Sequence, residues 1–90
     1  MLIGTNLKQI MGDISPADLH RMTGVPAMTI GRILKGEVSP QIDTLHKLAK
    51  GLNVPLALLV CDDELLKEII KKLSSMSRDE LKAVKTILKI

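Results

Sequence analysis

The sequence predicts an all-α protein, and three observations support this prediction. Its 90 residues include no Phe, Tyr or Trp, so the core must be built from Leu, Ile, Val, Met and Ala. Apolar residues recur three and four positions apart, without the alternation that is typical of a half-buried strand. Ser-Pro pairs and glycines interrupt the chain at short intervals, as expected where helices start and end. We expect seven helices and no sheet.

The first three predicted helices are short and are separated by strong helix-terminating signals. Apolar residues at positions 7, 10 and 11 indicate the first helix. Ser15 and Pro16 open the second, because the hydroxyl caps free N–H groups and proline loses no useful donor at the first helical position. Gly24 ends this helix. Pro26 opens the third, which ends at Gly36, a natural left-handed cap.

The next two helices follow the same logic. Ser39-Pro40 repeats the Ser-Pro start and is expected to open a fourth helix. Pro55 opens a short fifth helix that runs to about Val60. The apolar spacing places five residues of the fourth helix on its inward face: Ile42, Leu45, Leu48, Ala49 and Leu52.

The last two helices predict a dimerisation element. The sixth runs over about residues 63–73, and the seventh begins at a capping box formed by Ser77 and Glu80. Glu64 and Lys67 lie three positions apart, as on a solvated face. The apolar residues of both helices are expected to pack against a second copy, or alternatively to fold back onto the same chain: Leu65, Leu66, Ile69, Ile70, Leu73, Leu81, Val84, Ile87 and Leu88.

Charge and cysteine content limit the classes of function and location. The formal net charge is +3, which permits a polyanionic partner without requiring one. The single cysteine, Cys61, cannot form an internal disulfide and indicates a reducing, intracellular setting. The longest aliphatic segment, residues 55–61, is too short to span a membrane, and the first ten residues lack the pattern of a secretion signal. We therefore expect a cytoplasmic protein with no membrane partner.

An enzyme is not indicated by the sequence. His20, His46 and Cys61 have no metal-ligand spacing, and neither a catalytic triad pattern nor a phosphate-binding glycine loop is present. Asp62 and Asp63 are interpreted as the start of a helix, where carboxylates complement the helix dipole. The prediction is a protein with no catalytic residues, no metal and no cofactor.

The segment LHRMTGVPAMTIGRILKG, residues 19–36, has two short helices separated by a break at a glycine. In this segment the chain resembles the phage-repressor type of helix-turn-helix domain, the Cro-like or XRE family. This resemblance implies a five-helix lambda-repressor-like DNA-binding domain over residues 6–60, followed by the helical pair 61–90. The positions that match are Leu19, Gly24, Val25, Thr29, Ile30, Arg32, Ile33, Gly36, Ser39, Pro40, Leu45, Leu48, Ala49, Leu52 and Val54.

The resemblance also implies roles for individual residues. The recognition helix, residues 27–35, would enter the major groove of double-stranded DNA. Its implied base-reading residues are Ala27, Met28, Thr29 and Arg32, and Arg32 suits the O6/N7 edge of guanine. The implied contacts to the DNA backbone are Ser15, Ala17, Lys35, Ser39, Gln41, Lys8 and Arg21.

The expected function is transcriptional regulation, most simply repression, by a homodimer on a near-palindromic site. Two alternatives remain: an antitoxin that represses its own operon, and a repressor-like adaptor that binds protein without DNA. A toxin, an anti-repressor or polymerase are the candidate protein partners. Because the sequence ends at Ile90, we expect none of the peptidase-like C-terminal domains of larger phage repressors.

Two residues depart from the family pattern. His20 stands where the family usually places a small residue, and we expect a packed or partly exposed histidine rather than a pH sensor. Gly31 lies inside the recognition helix, where it costs up to about 1 kcal/mol relative to alanine.

Overall fold

The computed structural model describes residues 3–90, which form seven helices and, within that range, no strand. The predicted all-α class is therefore confirmed. The helices are α1 (Ile3–Met11), α2 (Pro16–Thr23), α3 (Ala27–Leu34), α4 (Ile42–Leu52), α5 (Leu56–Val60), α6 (Glu64–Ser74) and α7 (Arg78–Leu88). None of these helices is long and apolar enough to cross a membrane.

Most predicted helix ends are confirmed by the backbone and its caps. The Ser15 hydroxyl accepts a hydrogen bond from the Asp18 N–H at 3.1 Å, and Pro16 is the first residue of α2. Gly24 ends α2 with a φ of 78°, and Gly36 follows α3 with a φ of 73°. Both angles lie in the left-handed region that glycine adopts without a steric penalty.

The predicted start of α4 is wrong by two residues. The helix begins at Ile42 with Gln41 as its N-cap, so Ser39 and Pro40 belong to the preceding loop. Gln41 has an extended backbone, which places the first helical turn beyond the proline. Ile42 was expected to face inward, but it is 57% exposed. It is the first residue of α4, and the first buried residue of this helix is Leu45.

Helices α1 to α5 enclose one aliphatic core. Helix α3 packs against both α1 and α2, while α4 packs against α2 and α5. Helix α3 is therefore held from two sides. The buried cluster consists of Ile3, Leu7, Met11, Leu19, Val25, Ile30, Ile33, Leu45, Leu48, Ala49 and Leu59.

Helices α6 and α7 extend from this five-helix unit, and the described residues together measure 44 × 24 × 23 Å. Helix α6 packs against α5, whereas all eleven residues of α7 are at least partly exposed. The expectation that Lys67 lies on a solvated face is wrong, because this residue is only 4% exposed. The Lys67 ammonium contacts side-chain oxygens of Asn6, Gln9 and Glu64, and these contacts offset the cost of burying its charge.

Candidate nucleic-acid interface

The turn between α2 and α3 is fixed by local hydrogen bonds. The Gly24 N–H donates to the His20 carbonyl at 2.7 Å. The Thr23 hydroxyl donates to the Leu19 carbonyl at 2.8 Å and accepts from the Val25 N–H at 3.1 Å. One threonine thus joins the last turn of α2 to the residue that precedes Pro26. A threonine directly before a glycine is a common turn signal, so the sequence offered a clue to this role.

His20 also contributes to the turn, a role that the sequence analysis missed. His20 is exposed, and its ring Nδ1 lies 2.9 Å from the Val25 carbonyl oxygen. Because a carbonyl oxygen only accepts, this nitrogen must be the donor. The side chain that departs from the family pattern therefore bridges α2 to the start of the recognition helix.

The recognition helix α3 has one anchored face and one open face. Ile30 and Ile33 are buried in the core. Met28 is 70% exposed, and Arg32, one turn later on the same side of the helix, is exposed as well. An accessible face on a helix that is fixed from behind is the arrangement that insertion into a groove requires.

The remaining predicted base-reading residues, Ala27 and Thr29, are half-buried. They lie in the first turn of α3 and present only part of their surface. The N-cap residue Pro26 makes no side-chain capping bond, and no acidic residue occupies this turn. The start of the helix is therefore free of negative charge, which favours the approach of a polyanion.

The structure brings together several of the residues predicted to contact the DNA backbone. Lys8 from α1 and Lys35 after α3 line the same groove, and Pro16 at the start of α2 is part of its wall. Ser15, which caps α2, directly precedes that proline. Lys8 and Lys35 thus supply positive charge at one groove whose other walls are mainly apolar, while Asp18 in the first turn of α2 adds a negative charge at that helix start.

The other predicted backbone residues are more dispersed. Ala17 is exposed in the first turn of α2, and Gln41 is exposed at the N-cap of α4, where it makes no capping bond. Arg21 is exposed but pairs with the carboxylate of Asp18. Ser39 lines a different cavity, between the loop after α3 and the start of α1, so it is not part of the Lys8–Lys35 groove.

Gly4 is a second residue that the sequence analysis missed. An ideal Cβ on Gly4 would lie 2.5 Å from the carbonyl oxygen of Ile33 and 3.2 Å from that of Leu34. Only a residue without a Cβ lets α1 approach the recognition helix so closely. Gly4 precedes the residues that predicted the first helix, and its role depends on a partner helix that the sequence does not identify.

The predicted dimerisation stripe is only partly covered within the chain. Ile70, Leu73, Leu81 and Val84 are half-buried, so the alternative of folding back accounts for some of the stripe. Five residues are exposed: Leu65, Leu66, Ile69, Ile87 and Leu88.

The capping box of α7 is present as predicted. The Ser77 N–H donates to the Glu80 carboxylate at 3.1 Å, and the Ser77 hydroxyl accepts from the Glu80 N–H at 3.2 Å. Hydrogen bonding to the Glu80 carboxylate, first from the Ser77 backbone N–H and second from the Ser77 side chain, lowers the pKa of Glu80 below its ordinary value of 4.5. Among residues 3–90, no three His, Cys, Asp or Glu side chains are grouped so that they could hold a metal ion.

Comparisons with known proteins agree with this geometry. A family model described as Helix-turn-helix matches residues 7–59. The HTH-type transcriptional regulator SutR of Escherichia coli (strain K12) is 38% identical over 60 residues, which cover 64% of this chain and 34% of SutR. The cryptic phage CTXphi transcriptional repressor RstR of Vibrio cholerae is 36% identical over 73 residues, which cover 76% of this chain and 66% of RstR.

The chain thus spans about a third of the length of SutR and 66% of RstR. No solved structure matches it. The family match runs from the middle of α1 to Leu59 in α5, and so contains the complete α2–turn–α3 unit described above. This chain therefore belongs to the helix-turn-helix family.

Proposed function

We propose that this chain is a sequence-specific repressor that binds double-stranded DNA as a dimer and inserts α3 into the major groove. In this proposal residues 6–60 form the DNA-binding unit, and residues 61–90 form the dimerisation element. The observation that supports the insertion is the open face of α3: Met28 and Arg32 are exposed, while Ile30 and Ile33 fix the opposite face in the core. The similarity to a protein named as a phage repressor supports repression.

Base reading is assigned to the exposed side of the first two turns of α3. Arg32 donates two hydrogen bonds to the O6 and N7 atoms of a guanine. Met28 contacts a thymine methyl group, as do the accessible parts of Ala27 and the Thr29 methyl. Arg32 is then the one assigned residue that makes hydrogen bonds to the bases, so the shape of the DNA contributes to specificity.

Backbone contacts are assigned to the residues around α3. Lys8 and Lys35 bind one phosphate region together with the N-terminus of α2, because all three border the same groove. Gln41 contributes at the free N-terminus of α4. The other assigned residues are Ser15, Ala17, Arg21 and Ser39, and Arg21 must exchange its exposed pair with Asp18 for a phosphate. That exchange is inexpensive, since exposed ion pairs contribute only about 0–1 kcal/mol.

Dimerisation is assigned to the exposed apolar stripe of α6 and α7. A second copy would cover side chains that the single chain leaves in water, namely Leu65, Leu66, Ile69, Ile87 and Leu88. Two-fold symmetry would place the two recognition helices about 34 Å apart, facing a near-palindromic site. Sedimentation that shows only a species of 9.8 kDa at high protein concentration would refute this part.

Selection of bound sequences from a random duplex pool, followed by binding of variants to the selected site, tests the function. Arg32→Ala should weaken binding by about 1–3 kcal/mol and relax one base position. Lys8→Ala is the control, because loss of a phosphate contact lowers affinity evenly on selected and random duplexes. Equal losses for Arg32→Ala on both duplexes would assign Arg32 to the backbone. Absence of any duplex binding at low salt would favour the adaptor alternative.

A further inference from the structure

A cluster of polar side chains, of which Asn6 and Lys67 are buried while Gln9 and Glu64 are exposed, joins the five-helix unit to α6. We call it the polar hub and define it by Asn6 and Gln9 of α1 together with Glu64 and Lys67 of α6. The Lys67 ammonium donates to the Asn6 side-chain oxygen at 2.8 Å and to the Gln9 side-chain oxygen at 3.4 Å, and it pairs with the Glu64 carboxylate at 2.7 Å. Asn6 is 1% exposed and Lys67 is 4% exposed.

Asn6 extends the hub to the connector between α5 and α6. Its side-chain amide donates to the Leu59 carbonyl at 2.8 Å and to the Cys61 carbonyl at 2.7 Å. Its oxygen accepts from Lys67, so both donor hydrogens and one acceptor position are used. One side chain of α1 thus holds the end of α5, the connector and α6 in a single arrangement.

Polar contacts, rather than apolar ones, fix the orientation of α6. Leu65, Leu66 and Ile69 are exposed, and only Ile70 and Leu73 are half-buried, so α6 has a small apolar contact with the core. Apolar contact is not directional, and it would tolerate several tilts of the helix. The polar hub allows few tilts of α6, because hydrogen bonds need defined distances and angles. A tilt that separated the buried ammonium from its acceptors would also be costly.

We propose that Lys67, held by Asn6, is a positioning residue that sets the spacing between the two DNA half-sites that the protein accepts. This inference rests on the proposed dimer. The hub fixes the angle between α6, which presents the dimerisation stripe, and α1, which packs directly against the recognition helix. A change in that angle therefore moves the two recognition helices of a dimer relative to each other.

DNA geometry makes this angle measurable. Each base pair added between half-sites moves them about 3.4 Å apart and rotates them by about 35°, since one turn has 10–10.5 base pairs. A rigid dimer binds one spacing and rejects its neighbours, whereas a dimer with loosely joined domains accepts several.

The experiment compares the wild type with Lys67→Met and with Lys71→Met on the selected operator and on operators whose spacer is one or two base pairs longer or shorter. Methionine keeps most of the side-chain volume but removes the donor. Lys71 is the matched control, because it is an exposed lysine on the same helix. Fluorescence anisotropy gives the affinity for each spacer.

We expect the wild type and Lys71→Met to prefer one spacer by about tenfold or more, comparable to the penalty of one wrong base pair. Lys67→Met should bind all five spacers within about threefold of each other, because its domains reorient at little cost. A merely structural role would instead lower binding to every spacer by the same factor.

The outcomes separate this inference from the proposed function. A wild type that selects no paired half-sites overturns the proposed dimer itself. If the wild type selects paired half-sites, two results for Lys67→Met overturn the role of Lys67 alone. These are the same spacer preference as the wild type, and a loss of affinity that is equal on every spacer. Circular dichroism checks that the variant is folded. If it is not, Lys67→Gln retains a donor for Asn6 and should show an intermediate preference, and an unchanged preference there overturns the inference.

Discussion

The close approach of α1 to the recognition helix gives the sharpest test of the packing. In Gly4→Ala the new methyl group would overlap the carbonyl oxygens of Ile33 and Leu34. These are backbone atoms, so a helix has to move rather than a side chain. Overpacking of this kind costs about 1–3 kcal/mol. Alanine returns at most about 1 kcal/mol through its higher helix propensity. We therefore expect the free energy of unfolding to fall by up to about 3 kcal/mol, and at most to stay unchanged if the full propensity gain is realised.

Gly31→Ala is the matched control, because it makes the same chemical change inside α3 itself. A Cβ at Gly31 would meet nothing within 4 Å, so only the propensity gain remains. We expect this variant to be more stable than the wild type by about 0.5–1 kcal/mol. Urea denaturation measures both values, and each 1 kcal/mol corresponds to a shift of about 4–8 °C in Tm. Equal stabilisation by the two alanines would refute the close contact between α1 and α3.

Two further predictions concern α6 and α7. Ile69→Glu should raise the concentration at which the protein dimerises in sedimentation experiments. Met22→Glu, at an equally exposed apolar residue on α2, should leave that concentration unchanged. Equal effects of the two variants would argue against dimerisation through the exposed stripe. Because the pKa of Glu80 is lowered in the folded state, its carboxylate stabilises α7 above pH 4.5, and this contribution is lost as the pH falls through the folded-state pKa. Glu80→Gln should lack this acid-dependent loss of helicity in circular dichroism, while Asp79→Asn, in the same turn, should retain it.

Features that depend on neighbours in the chain were predictable from the sequence. Ser15 with Pro16, Gly24, Gly36 and the Ser77 box mark helix ends through local hydrogen bonds and backbone angles, and all of them act at or next to the predicted positions. The start of α4 was an exception, since Ser39-Pro40 has the same local signal as Ser15-Pro16 and yet precedes its helix by two residues.

Features that depend on distant partners were not predictable. Lys67 has the spacing of a surface residue on α6, and its burial follows only from Asn6, which lies 61 positions earlier. Gly4 looks like a helix-weakening residue until α3 is placed against it. The same holds for the candidate site: the sequence named Lys8 and Lys35 separately, and only the fold shows that they border one groove.

The structure also links dimerisation to the stability of α7. An isolated helix of eleven residues is marginal in water, and α7 has no buried residue to hold it in place within one chain. Its capping box satisfies two N–H groups at the start of the helix, which does not replace tertiary packing. If a second copy covers the exposed stripe, as proposed, folding of α7 and dimer formation become a single equilibrium. DNA binding by two recognition helices would then depend on protein concentration through α7, although α7 lies outside the helix-turn-helix unit.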